Sequence, residues 1–154
     1  MEKKKKQNTA DSRIFKPGTF ITKTPEQTRT LGKKFAGCLK KGDLIFLKGD
    51  LGSGKTTFIQ GIVKAFGNQG FARSSSFILV NEYDADECRL FHLDLYRLNP
   101  AHVRDLGIEE YLFGGNISVI EWADRLLGCE NDNTWSVEIE SAEGVRKITI
   151  KRMK

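Results

Sequence analysis

The stretch Gly49-Asp50-Leu51-Gly52-Ser53-Gly54-Lys55-Thr56 limits this chain's fold more than any other. Its glycines open backbone conformations that side-chain-bearing residues avoid, so it belongs to neither a regular strand nor a regular helix. Its flanks are clear. Leu44 to Leu47 is an uninterrupted apolar run, the mark of a strand buried on both faces of a parallel sheet. Thr57 to Phe66 carries Phe58, Ile59, Ile62, Val63 and Phe66 at helical spacing, and Gly67 ends it. Strand, glycine loop and helix in that order satisfy both the pattern G-x-x-x-x-G-K-[ST] and the context it requires.

That context dictates a chemistry. A glycine-rich backbone can curl until successive N–H groups face phosphate oxygens, and the following helix turns the positive end of its dipole toward the same oxygens. Asp50, Leu51, Gly52, Ser53, Gly54, Lys55, Thr56 and Thr57 form the expected phosphate cradle. Lys55 reaches the β- and γ-phosphates, and Thr56 offers a hydroxyl to Mg²⁺, an ion that takes few protein ligands. No N-K-x-D loop of the guanine-specific kind follows, so the nucleotide expected is ATP.

A phosphate loop of this type needs a carboxylate near the metal, and open α/β sheets present ligands' partners at the C-terminal ends of their strands. Two acids qualify. Glu121 follows the apolar run Ile117-Ser118-Val119-Ile120, and Asp94 lies in Phe91-His92-Leu93-Asp94-Leu95-Tyr96. Either could contact Mg²⁺ or orient an attacking water. Trp122 stands beside Glu121, near the nucleotide or packed in the core. Ser74, Ser75 and Ser76 fall where such proteins place a γ-phosphate-sensing switch loop, although three serines also make an ordinary loop. His92 and His102 lack metal-ligand spacing and read as hydrogen-bonded or surface residues.

The remaining segments fill in an α/β, three-layer fold of the P-loop NTPase type, with a mixed, mainly parallel central sheet flanked by helices. Gly18 to Thr22 reads as a first strand. Thr24-Pro25-Glu26-Gln27 combines an N-cap, a first-turn proline and a capping-box glutamine, and Leu31, Phe35 and Leu39 give the following helix a buried stripe. Phe77 to Tyr83 and Arg89 to Leu95 read as a hairpin around Asp84-Ala85-Asp86-Glu87. Asn99-Pro100 opens a short helix through Leu106, Ile108 to Phe113 adds a helical turn or two, and Ile117 to Trp122 is a further buried strand. Ser136 to Glu140 and Val145 to Ile150 alternate apolar and polar residues and read as a peripheral hairpin.

With 154 residues, the chain suits one domain, expected over residues 17–154 behind a basic, disordered tail over 1–16. Composition narrows the function by exclusion. The net charge is +5, but Glu2 with Lys3 to Lys6 supplies +3 of it and leaves only about +2 on the body. Neither a zinc-finger spacing nor an aromatic RNA-recognition signature is present, and no DNA binding is expected. Cys38, Cys88 and Cys129 form no CxxC pair, as in a reducing compartment, and no apolar run is long enough for a membrane span. A cytoplasmic protein is expected.

The chain as a whole resembles one known family, TsaE, the bacterial ATPase that takes part in making threonylcarbamoyladenosine in transfer RNA. The resemblance rests on Gly49 to Phe58, Leu79-Val80-Asn81-Glu82-Tyr83, His92-Leu93-Asp94-Leu95-Tyr96-Arg97-Leu98, Asp105 to Leu112 and Ile120-Glu121-Trp122. It implies an ATPase that works with two partner proteins, of the TsaB and TsaD type, and through them touches transfer RNA indirectly. It implies catalytic roles for Lys55, Glu121 and Asp94, with Thr56 and Glu121 on Mg²⁺, Asp94 serving hydrolysis, and Glu26 and Arg146 near the nucleotide. Where the family usually has Ser-Pro-Thr-Phe this chain has Ser74-Ser75-Ser76-Phe77, which removes a rigid proline, and Ala123 stands where a proline commonly follows Glu-Trp. The alternative is a P-loop kinase acting on a nucleoside or another small molecule, with Arg125 and Arg146 as the arginines best placed to clamp it.

Overall fold

The computed structural model describes residues 15–67, 80–85, 87–96, 98–99, 101, 107–126 and 130–153. The strands are β1 (Gly18–Thr22), β2 (Leu44–Gly49), β3 (Val80–Ala85), β4 (Cys88–Asp94), β5 (Ile117–Glu121), β6 (Thr134–Ala142) and β7 (Val145–Arg152). The helices are α1 (Pro25–Ala36), α2 (Lys55–Ala65) and α3 (Glu109–Phe113), with a 3₁₀ turn at Ala123–Arg125. The helix expected from Asn99 to Leu106, the tail to residue 14 and the Ser74–Ser76 loop lie wholly or largely outside the described residues.

Among the described residues, seven strands join one sheet in the order β1-β7-β6-β2-β5-β4-β3. Its centre, β6-β2-β5-β4, is parallel, and β3, β7 and β1 join antiparallel at the margins. The C-terminal hairpin is therefore not peripheral, as its alternation suggested. β6 pairs in parallel with β2, and the sheet's edge on that side is β1. The alternation arises because β6 is covered on one face only: Val137 and Ile139 are buried in the core while Glu138 and Glu140 are exposed.

Two cores make three layers. Ile45, Leu47, Val119, Val137, Ile148 and Ile150 pack under α1 and α2, and Leu44, Phe46, Phe91, Leu93 and Ile120 pack under Ile108, Leu112, Ala123 and Leu126. Because β2 and β5 supply both clusters, their sequences read as continuous apolar runs. α1 begins as its sequence predicts: Gln27 N–H donates to Thr24 Oγ1 at 3.1 Å and Pro25 starts the first turn. Gln27 Oε1 accepts instead from Lys23 N–H at 2.7 Å, one residue earlier than a strict capping box. α1 and α2 touch backbone to backbone, since a Cβ on Gly32 would strike the Phe58 carbonyl and one on Gly61 the Arg29 carbonyl.

Candidate nucleotide site

Parallel pairing brings the C-terminal ends of β2, β5 and β4 side by side, with Leu47 opposite Glu121 and Glu121 opposite Asp94. The loop after β2 enters α2 through Gly52 and Gly54, whose φ angles of 78° and 110° are left-handed and suit glycine. Within α2, Phe58 N–H bonds back to Gly54 O at 3.0 Å, whereas Lys55, Thr56 and Thr57 occupy the first turn, whose N–H groups have no carbonyl inside the helix. The loop therefore offers aligned amides to an anion, as the sequence predicts.

A cavity of about 260 Å³ lies over these amides, lined by Leu51, Gly52, Gly54, Lys55, Thr56, Thr57, Asp94, Tyr96, Glu121, Trp122 and Arg146. Residues spread over nearly a hundred positions thus meet at one place. A second cavity of about 430 Å³ adjoins it across Lys55 and Trp122 and takes in Asp50, Asp124, Glu138 and Glu140. Ser53 lies buried beneath the loop, its hydroxyl without a partner among the described residues. Glu26 lines neither cavity: it is exposed on α1 and pairs with Arg29 Nη1 at 2.6 Å.

The charges at the site are arranged around Lys55, which is only 7% exposed. Its ammonium donates to Gly49 O at 2.7 Å, lies 4.0 Å from Glu121 Oε1 and stands 4.6 Å from the centre of the Trp122 ring. Trp122 adopts a left-handed φ of 61°, which turns its ring over Lys55 and against Tyr96, 4.9 Å away between ring centres. Arg146 reaches across from β7, and its Nε donates to Ser53 O at 2.9 Å. A side chain on Gly54 would meet Arg146 Nε and Cδ, the far end of a side chain that can move aside, so it is the left-handed φ that calls for glycine there. Burial raises the Asp94 carboxyl above the ordinary carboxylate range and neighbouring Glu121 adds to the rise, although Asp94 also accepts from Tyr96 N–H at 3.0 Å.

These groups fit a nucleotide phosphate with a divalent ion. Loop amides and Lys55 face an anion, while the Thr56 hydroxyl and the Glu121 carboxylate line the same cavity. Two protein oxygen donors on one cavity suit an ion that takes few protein ligands and keeps its waters.

His92, which the sequence marks as a hydrogen-bonded or surface residue, is buried and hydrogen-bonded at this site. His92, 2% exposed, donates from Nε2 to Glu121 Oε2 at 2.8 Å. Alternation along β4 puts His92 on the same face as Asp94, a signal that sequence carries. Its proximity to Glu121 needed the β4–β5 register, in which His92 sits opposite Val119 and diagonal to Glu121.

The family model "Threonylcarbamoyl adenosine biosynthesis protein TsaE" matches residues 22–148. The chain belongs to the TsaE family. Among the curated TsaE proteins that it resembles, each named tRNA threonylcarbamoyladenosine biosynthesis protein TsaE, that of Aquifex aeolicus is 39% identical over 86% of this chain and 94% of its own length. That of Haemophilus influenzae is 35% identical over 77% and 79%, respectively. That of Bacillus subtilis is 38% identical over 66% of this chain, and the chain spans 64% of that relative's length. The crystal structure of Bacillus subtilus YdiB superposes with a TM-score of 0.73 at 30% identity, covering 92% of this chain and 88% of that one. The TsaE match takes in Lys55, Asp94, Glu121, Trp122 and Arg146, and it begins at the last residue of β1.

Proposed function

We propose that this chain binds ATP with Mg²⁺ and hydrolyses it, and that turnover serves the threonylcarbamoyladenosine modification of transfer RNA. The observation that carries this reading is the meeting of Lys55, Thr56, Glu121 and Asp94 around one cavity in a TsaE-family chain. Lys55 and the loop amides bind the β- and γ-phosphates; Thr56 and Glu121 hold the metal, which when bound neutralises charge developing on the transferred phosphoryl group. In this reading Asp94, which lines the same cavity, orients the attacking water or takes its proton. Burial raises the Asp94 carboxyl above the ordinary carboxylate range, which makes it a better proton acceptor than an ordinary surface aspartate.

Two partner proteins of the TsaB and TsaD type complete the working complex in this reading, in the cytoplasm, with transfer RNA reached through them. Among the described residues no helix is long and apolar enough to cross a membrane. The kinase alternative has less support, since Arg146 lines the phosphate cavity but Arg125 lines neither cavity and has Nη2 3.5 Å from Tyr96 O. Measuring ADP release from the purified chain, with and without the partner pair, tests the reading. Slow turnover that the pair accelerates is expected; fast turnover indifferent to the pair, or phosphorylation of a nucleoside without it, would overturn it.

A further inference from the structure

We infer that His92 is a positioning residue for Glu121: its Nε2–H fixes the carboxylate so that Oε1 is presented to Lys55 and the metal side of the cavity. The inference rests on the reading of Glu121 as the Mg²⁺-side acid. The two oxygens of Glu121 have divided tasks. Oε2 accepts from His92 Nε2 at 2.8 Å, and Oε1 faces Lys55 Nζ at 4.0 Å. The terminal torsion of a glutamate is broad, so a carboxylate at a strand end would otherwise present either oxygen to the cavity. One hydrogen bond from a rigid ring removes that freedom.

The surroundings argue against His92 as ordinary core filling. Leu90 along β4 and Val119 across on β5 are all but excluded from solvent on its face, while Asp94 follows along β4 and Asn81 stands across on β3, so the ring lies between aliphatic packing and the polar end of the sheet. With Nε2 as the donor, Nδ1 is a buried acceptor, and it has no partner among the described residues. A buried polar atom left unpaired is expensive, and such expense recurs where a side chain serves a site. Carboxylates that bind metals are commonly held by a second hydrogen-bonded group, whose loss weakens the metal about 10- to 100-fold.

The test compares wild type, His92→Leu, His92→Gln and Glu121→Gln by calorimetry, titrating a non-hydrolysable ATP analogue at graded Mg²⁺ and in EDTA. His92→Leu is expected to need about 10- to 100-fold more Mg²⁺ while its affinity in EDTA stays within about twofold of wild type. His92→Gln, which keeps an N–H donor at similar reach, recovers most of the loss. A wild-type Mg²⁺ requirement in His92→Leu, or equal loss in the leucine and glutamine variants, overturns the positioning role. An unchanged requirement in Glu121→Gln overturns instead the reading of Glu121 on which it rests. ¹⁵N NMR of the wild-type imidazole gives a measurement independent of the variants' folding. An Nε2–H tautomer whose signal moves with Mg²⁺ and nucleotide, but not with nucleotide in EDTA, is expected; the other tautomer, or a signal that does not move, overturns the inference.

Discussion

Lys55 keeps its charge satisfied by the Gly49 carbonyl, the Glu121 carboxylate and the Trp122 ring, so a phosphate must compete with internal partners for it. The competition is uneven, because a charged phosphate oxygen forms a stronger hydrogen bond with an ammonium than a neutral carbonyl does. Lys55→Ala therefore removes the cavity's deepest cation and is expected to abolish ATP binding in calorimetry; unchanged affinity would sink the phosphate-cradle reading. Trp122 should report the exchange directly. Its fluorescence is expected to change as Lys55 leaves its ring, and the change should survive Trp135→Phe, since Trp135 packs against Phe35 in the core, 5.2 Å between ring centres. Loss of the signal in Trp135→Phe, with Trp122 intact, would contradict that assignment. At this scale sequence is uneven as a guide. Lys55 announces itself by its motif, whereas His92 reads only as hydrogen-bonded or surface, because its partner Glu121 lies 29 positions away in sequence.

Between elements, the α1–α2 contact decides where the cradle sits, for α2 carries Lys55 to Thr57 at its start and Gly61 under α1. Arg29 stitches the two helices together, donating from Nε to Gln60 Oε1 at 3.0 Å. Gly61→Ala should lower stability by about 1–3 kcal/mol despite alanine's better helix propensity, because the added methyl meets the Arg29 backbone rather than a yielding side chain. Urea unfolding checks this, and a variant as stable as wild type would show that the helices can separate freely. The existence of both helices was legible: α1 from its cap and α2 from its periodicity. Their close crossing was not, since a mid-helix glycine reads only as a weak helix former until its neighbour is known.

At the scale of the whole molecule, Asp43 ties together the sheet end opposite the cradle. Its carboxylate accepts from Lys40 N–H at 2.9 Å and from Trp135 Nε1–H at 3.4 Å, and its carbonyl accepts from Ser118 N–H at 3.1 Å. Burial raises the Asp43 carboxyl above its ordinary value, so the folded state holds that proton more tightly than the unfolded chain does. Its ionisation thus costs stability as pH rises from the unfolded value of about 4 through the raised one, and the loss is recovered on acidification. Asp43→Asn should flatten that part of the stability profile in urea titrations across acidic pH, and an identical slope in the variant would refute the assignment. Sequence by itself determined the local elements that carry strong patterns: the phosphate loop with its strand and helix, the capped first helix, and the buried strand ending in Glu121. Those depend on nearest neighbours and periodicity. Tertiary structure alone decided that β6 lies in the parallel centre, that β1 closes the edge, and that His92 meets Glu121. Strand order and register join residues far apart in sequence, and the partner that gives each side chain its task is supplied only when the sheet assembles.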